Sequence, residues 1–281
     1  MTNIFHPTDF SEASNVAFRH AMRMTLVTRG SLEILHVAPK GKAIGWSEYP
    51  HVRETLHKWG LLHEGFTIED LTRKTGIKVR KSRAEGSNVV EATSQHIARH
   101  PVDMMVLSTE GRSGLAEIIS PSVSTALAAA ISRPTLFFRE GVKGFVSPDG
   151  RLEGVNILIA VDDDPDPQLP FDYLPELSRL VGAQIRKVVS LHCGSALRNR
   201  PVAPASMDMT VFEHIDSDGD AVDTINAKAA EMQADIIIVT TAGPSSIRET
   251  LLGSTTRNII RSAPCAVLSL PAPSYDAQPA V

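Results

Sequence analysis

Two short stretches carry residue types suited to holding an anion. Gly111-Arg112-Ser113-Gly114 is followed, after six intervening residues, by Pro121-Ser122. Gly243-Pro244-Ser245-Ser246 is followed, again after six intervening residues, by Gly253-Ser254-Thr255. Glycine lets a backbone approach a ligand closely. A helix beginning at the Ser or Thr would offer unpaired N–H groups and the positive end of its dipole, which together favour phosphate. Asp9 and Asp162 each close an apolar run, and two roles are open to them. One is to cap the following helix; the other is to sit as a polar group beside a bound base. Ser122 and Ser254 have no assignable His-Asp partner, and no GxSxG, HExxH or GxxxxGK[ST] occurs, so the expectation is binding rather than catalysis. His6, His36 and His192 fall at strand ends. No acidic ligand cluster stands beside them, and no metal site is expected. His51, His57 and His63 recur every six residues, which does not line one helix face. Cys265 precedes a strand that should be buried and is expected to be inert.

These candidates sit inside a sequence that occurs twice. Asn3–Asp9 is echoed by Asn156–Asp162, Leu35-His36-Val37 by Leu191-His192-Cys193, Val102–Gly111 by Ala234–Gly243, and Ser132–Phe138 by Ala263–Ser269. The landmarks keep their order. The first copy is longer by about 21 residues, placed around Trp46 to Thr75. Trp46, Tyr49 and Trp59 in that excursion are expected to pack it onto its own domain; a partner-binding surface is the alternative. The second copy has Pro201 and Pro204 instead, which argue against a long helix there.

Each copy alternates strand-like and helix-like segments. Strands are expected at Ile4–His6, Leu32–Val37, Val79–Arg83, Met104–Ser108 and Thr135–Phe138. Those of the second copy fall at Asn156–Val161, Arg186–His192, Met209–His214, Ile236–Thr240 and Ala266–Leu270. Helices are expected at Ser11–Val27, Val89–Arg99 and Ser122–Ile131, then Leu169–Val181, Ala221–Met232 and Ser254–Ser262, with Ser11 and Ser87 as N-caps. Buried runs such as Ile236-Ile237-Ile238-Val239 belong in parallel sheets covered on both faces. The fold class is therefore α/β. Domains are expected at 1–139, with the aromatic insertion at about 46–75, and at 155–270. A linker at 140–154 joins them and a tail follows at 271–281.

Composition narrows the function. Twenty-eight basic and 32 acidic residues give a net charge of −4. No basic patch suggests nucleic acid. No apolar run approaches the ~18–20 residues that span a bilayer, and no export signal opens the sequence. Two cysteines 72 residues apart imply a reduced, cytoplasmic setting.

Taken together, the strand ending in Asp9, Leu35-His36-Val37, Ser108-Thr109-Glu110-Gly111-Arg112-Ser113-Gly114 and Leu251-Leu252-Gly253-Ser254-Thr255-Thr256, with Ala263-Pro264-Cys265 near the end, resemble the universal stress protein family. Two copies resemble a tandem member. The resemblance implies two tandem five-stranded parallel sheets in the order 3-2-1-4-5, with helices on both faces. The family pattern is Gly-x2-Gly, a spacer of six or nine residues, then Gly-Ser or Gly-Thr. Its members either bind ATP there or have lost the motif, and act as regulators and stress factors. Both copies depart from the pattern: Pro121 replaces the helix-start glycine in the first, and Ser246 the second loop glycine in the second. The implied ligand is ATP or a related adenine nucleotide, with Mg²⁺ as its companion and at most very weak hydrolysis. The implied site is Asp162, Gly243, Ser246, Gly253, Ser254 and Thr255, in preference to Asp9, Gly111, Gly114 and Ser122. The apolar fifth strands are expected to meet in an internal pseudo-dimer, with a homodimer of whole chains as a further step. The rival reading is a module with degenerate pockets that acts through a regulatory protein partner. An adenylyl-transferring relative lacks support, because neither HxGH nor SGGxDS is present.

Overall fold

The computed structural model describes residues 1–41, 44–63, 65, 67–109, 121–142, 144–152, 154–205, 207, 211–242 and 252–272. In the first half these form β1 (Asn3–Pro7), α1 (Glu12–Thr28), β2 (Ser31–Ala38), α2 (Val52–Lys58), α3 (Ile68–Thr75) and β3 (Lys78–Glu85). α4 (Val89–Arg99), β4 (Met104–Ser108), α5 (Pro121–Ile131) and β5 (Thr135–Phe138) complete it. The second half contains β6 (Val155–Val161), α6 (Leu169–Asp172), α7 (Leu174–Val181), β7 (Ile185–Cys193) and β8 (Val211–Ser217). It ends with α8 (Ala221–Glu231), β9 (Ile236–Thr241), α9 (Ser254–Ser262) and β10 (Ala266–Pro271).

The strand order is β3-β2-β1-β4-β5-β10-β9-β6-β7-β8. Each half alone therefore reads 3-2-1-4-5, with parallel neighbours. The two five-stranded units form and meet at their fifth strands. β5 and β10 pair antiparallel, Leu136 opposite Leu268, and weld the halves into one ten-stranded sheet. An apolar edge strand exposes a row of unpaired backbone groups, and pairing two such edges satisfies both.

Alternation along the strands loads two faces. Met104 and Val106 point to one core, with α1, α2, α3 and α7; Met105 and Leu107 point to the other, with α4, α5, α8 and α9. α1 is capped by Ser11, whose side chain accepts from Ser14 N–H, as expected. α4 is capped by Asn88 rather than Ser87. The single helix expected over 169–181 is broken into α6 and α7, with Pro170 and Pro175 in their first turns, where a missing N–H costs least. Gly182 ends α7 at φ +67°, and a Cβ there would fall 2.5 Å from Val27 of α1. The two halves thus touch helix to helix where only glycine fits.

Of the insertion's three aromatic residues, Tyr49 packs onto its own domain and Trp59 onto the connection between the halves. Tyr49 is buried, and its hydroxyl donates to Ser82 O at 2.7 Å. Trp59 Nε1–H donates to Pro148 O at 3.1 Å, holding the connection between the halves. Trp46 remains 62% exposed. That connection is also fixed by His20 on α1, whose Nε2 accepts from Phe145 N–H at 3.0 Å and Val146 N–H at 2.9 Å.

Candidate functional site

In the second half, strand order reverses between β6 and β9, where Ala160 lies opposite Val239. Ligands of open α/β sheets bind outside the carboxyl ends of strands at such a switch. A cavity of about 190 Å³ opens there. Its floor is apolar, with Leu191, Ile225, Val239 and Ile259; its rim carries Asp162, Asp164, Thr240 and Thr255. α9 begins beside it. Its N-cap, Gly253, has no side chain to satisfy the first turn, so the opening N–H groups of α9 lack an intrahelical acceptor. Gly253 has φ −51°, and a Cβ there would meet open space. Its backbone conformation does not demand glycine. Asp162 is exposed and accepts from Asp163 N–H at 2.8 Å; it caps no helix. Cys193 also lines the cavity, and burial pushes its thiol pKa up, away from thiolate chemistry.

The equivalent place in the first half is lined by polar groups. Asp9 is buried; one carboxylate oxygen accepts from Ser11 N–H at 3.0 Å and the other has no protein partner. Ser108 Oγ and Thr109 Oγ1, at the end of β4, are buried without a partner, as is Thr93 Oγ1 on α4. The repeat places Thr93 where Ile225 lines the second-half cavity. Nearby, Thr8 Oγ1–H donates to Ser14 Oγ at 2.9 Å, and Ser14 Oγ–H donates to His6 Nε2 at 3.4 Å. His6 Nδ1–H then donates to Val106 O at 2.9 Å. Burial pushes the His6 pKa down to about 4. Phe10 sits at φ +64° and stacks on the His36 ring at 4.3 Å, with Tyr49 edge-on. A bulky residue in that region is strained, so the stack must be held by its surroundings.

The model of the universal stress protein family matches residues 1–139 and 198–271, parts of both halves. The chain belongs to the universal stress protein family. No curated protein matches it. Among solved structures, a universal stress protein from Archaeoglobus fulgidus is 18% identical with a TM-score of 0.59, covering 96% of this chain and 98% of that one. A putative universal stress protein from Pseudomonas aeruginosa is 15% identical with a TM-score of 0.61, covering 96% and 93%. A functionally unknown protein from Pseudomonas aeruginosa is 14% identical at the same TM-score, covering 96% and 92%. At these identities the likeness concerns the fold.

Against the universal stress protein pattern, the candidate residues divide. Asp162 and Thr255 line one cavity, and Gly253 and Ser254 open the helix beside it. Gly111, Gly114, Gly243 and Ser246 lie outside the described residues, as does the side chain of Ser122. Thr93, Ser108 and Thr109 are additions. Thr109 stands beside the glycine motif in sequence, but only burial shows its oxygen to lack a partner. Cys265 is buried, which pushes its thiol pKa up to about 12.

One cluster lies away from both places. Glu33 on β2 meets His96 and His100, of α4 and its C-cap, with ligand-type atoms all within 4.8 Å of one another. The expectation of no metal site rested on other histidines. His96 and His100 are four apart, one turn of a helix, and that spacing was the available signal.

Among the described residues, no helix is long and apolar enough to cross a membrane.

Proposed function

We propose that this protein is a cytoplasmic stress-response regulator that binds an adenine nucleotide of the ATP type in its second half, and works by binding rather than turnover. The observation that supports it best is the cavity at the β6–β9 switch, bounded by Asp162 and by the uncapped start of α9. At about 190 Å³ it is smaller than the ~300–1,000 Å³ of whole-ligand pockets. It suits the base or ribose, leaving the phosphates over the first turn of α9, where dipole and N–H groups favour them. Asp162 and Asp164 put negative charge at the rim, so Mg²⁺ accompanying the phosphates would offset a repulsion.

The Gly253→Pro variant tests this cleanly. φ at Gly253 already suits proline and its Cβ direction is open, so the change removes one N–H and little else. Losing a charge-assisted hydrogen bond costs about 1.5–3 kcal/mol, or roughly 10- to 150-fold in affinity. Calorimetry with ATP should show that loss. Wild-type affinity in Gly253→Pro would move the phosphates off α9. No ATP binding by the wild type at millimolar concentration would favour the protein-partner module.

A second adenine-nucleotide site in the first half is favoured by the unpartnered oxygens of Asp9, Ser108 and Thr109. If it fills, Thr109→Val should reduce the ATP stoichiometry from two to one. Pro121→Gly should strengthen that site by restoring an N–H at the helix start.

A further inference from the structure

We propose that Glu33, His96 and His100 form a binding site for one divalent transition-metal ion of the Zn²⁺ class. The site is separate from both nucleotide-type sites and does not rest on them.

The donors are set by two elements. Glu33 projects from β2 beneath α4, and His96 and His100 lie one helical turn apart above it. His100 Nδ1–H donates to His96 O at 3.1 Å. That bond fixes the ring tautomer and leaves the Nε2 lone pair for a ligand, as outer-shell carbonyls do in metal sites. The Glu33 carboxylate is held too: Ser82 Oγ–H donates to Oε1 at 2.8 Å, and Arg80 Nη2 lies 2.9 Å from Oε2. His96 Nε2 stands 2.6 Å from Glu33 Oε1. A metal ion would replace this hydrogen bond, with the single proton of the neutral His96 ring carried on Nδ1 and Nε2 free to ligate. Two imidazoles and one carboxylate suit zinc, cobalt, nickel or iron(II) rather than the hard ions Mg²⁺ and Ca²⁺, which prefer all-oxygen sets. Three protein ligands leave coordination positions for water. The side chains of His96 and Glu33 are 16% and 11% exposed, so an ion can enter from solvent. Arg80 opposes binding by its charge. It pairs with the other oxygen, and its side chain is 55% exposed, so water screens it.

The second half shows that the fold does not need this cluster. Repeat offsets place Val189 at Glu33, Ile215 at Ser82, Lys228 at His96 and Met232 at His100. There, Val189 is buried and Ile215 and Met232 pack against the same core. Three of the four positions close on apolar side chains there, so the polar set of the first half is an addition to the architecture.

The test uses the full chain, stripped of metal, titrated with Zn²⁺ against a chromophoric chelator at neutral pH. One ion per chain should bind to the wild type, and saturating Zn²⁺ should raise the thermal midpoint. His100→Met, which installs the second half's residue, should lose more than about 100-fold in affinity and the thermal shift, with an unchanged circular dichroism spectrum. Glu33→Gln should do the same if His100→Met folds poorly. Ser82→Ala should weaken binding by roughly 10- to 100-fold, the usual cost of losing an outer-shell partner. Failure of the wild type to bind Zn²⁺, or wild-type affinity in folded His100→Met and Glu33→Gln, overturns the proposal and assigns any bound ion to the exposed histidines of the insertion.

Discussion

The two halves share one architecture and differ in what they bury. At equivalent positions the first half has His6, Glu33, Ser82, Thr93 and His100, where the second has Ile159, Val189, Ile215, Ile225 and Met232. The aliphatic set shows what the sheet and its helices require. Burying a polar group costs free energy unless a partner compensates, and Thr93 Oγ1 has none in the protein. The first half therefore carries groups that the fold only tolerates, and the second keeps an open apolar-floored cavity in the same place. Duplication makes each half the control for the other.

The largest effect should come from the seam that makes the halves one body. Leu268 is fully buried on β10, opposite Leu136. Leu268→Ala should cost about 2–5 kcal/mol. Both tryptophans, Trp46 and Trp59, lie in the first half, so fluorescence reports that half while circular dichroism reports both. In urea, the two midpoints should fall together. A fluorescence midpoint that stays put while circular dichroism shifts would mean the halves unfold independently.

Next comes acid sensitivity, which should belong to the first half. Burial depresses the pKa of His6 from 6.5 to about 4 and that of His20 to about 3. Both rings are neutral in the folded chain, while the unfolded chain takes up protons below about 6.5. Their contribution is therefore complete above pH 6.5 and is lost as pH falls towards 4 and 3. For His6 the loss is about 3 kcal/mol. His6→Ile, copying Ile159, should flatten the decline between pH 6.5 and 4 in denaturant titrations, even though Val106 O loses its donor. An unchanged acid slope would mean that His6 does not titrate with unfolding. His20 adds a mechanical consequence: protonating Nε2 removes the acceptor for Phe145 and Val146 N–H.

Thr93→Val should raise stability by about 1–3 kcal/mol, since it deletes an unsatisfied buried hydroxyl at nearly constant shape. A loss of stability would show that the hydroxyl has a partner, such as ordered water. The smallest effects concern the caps. Ser11→Ala in the first half and Asp220→Ala in the second should each cost about 1 kcal/mol in thermal or denaturant unfolding. Unequal costs would expose a difference in how tightly the halves hold their helices.

The sequence by itself determined the repeat, the strand and helix order and most element ends, because periodicity, caps and turn residues act over a few neighbours. Val89–Arg99, Met104–Ser108, Thr135–Phe138 and Ser254–Ser262 have the bounds their patterns predict. It also singled out Asp162 and the α9 start as candidates, because the same spacing recurs in both copies. Asn88 in place of Ser87 shows the limit of local reading, where two neighbouring polar residues can serve as caps. Tertiary structure decided the rest. The sequence led to the expectation that the fifth strands meet, but the antiparallel register of β5 on β10, across residues more than 120 apart in the chain, was settled only by the packed halves. Glu33 reaches His96 across 63 residues, and only the β2–α4 contact turns a helical histidine pair into a three-donor cluster. Asp9, Ser108 and Thr109 are ordinary polar residues in the sequence. Burial is what leaves their oxygens without partners, and burial is a property of the packed whole rather than of any local run of residues.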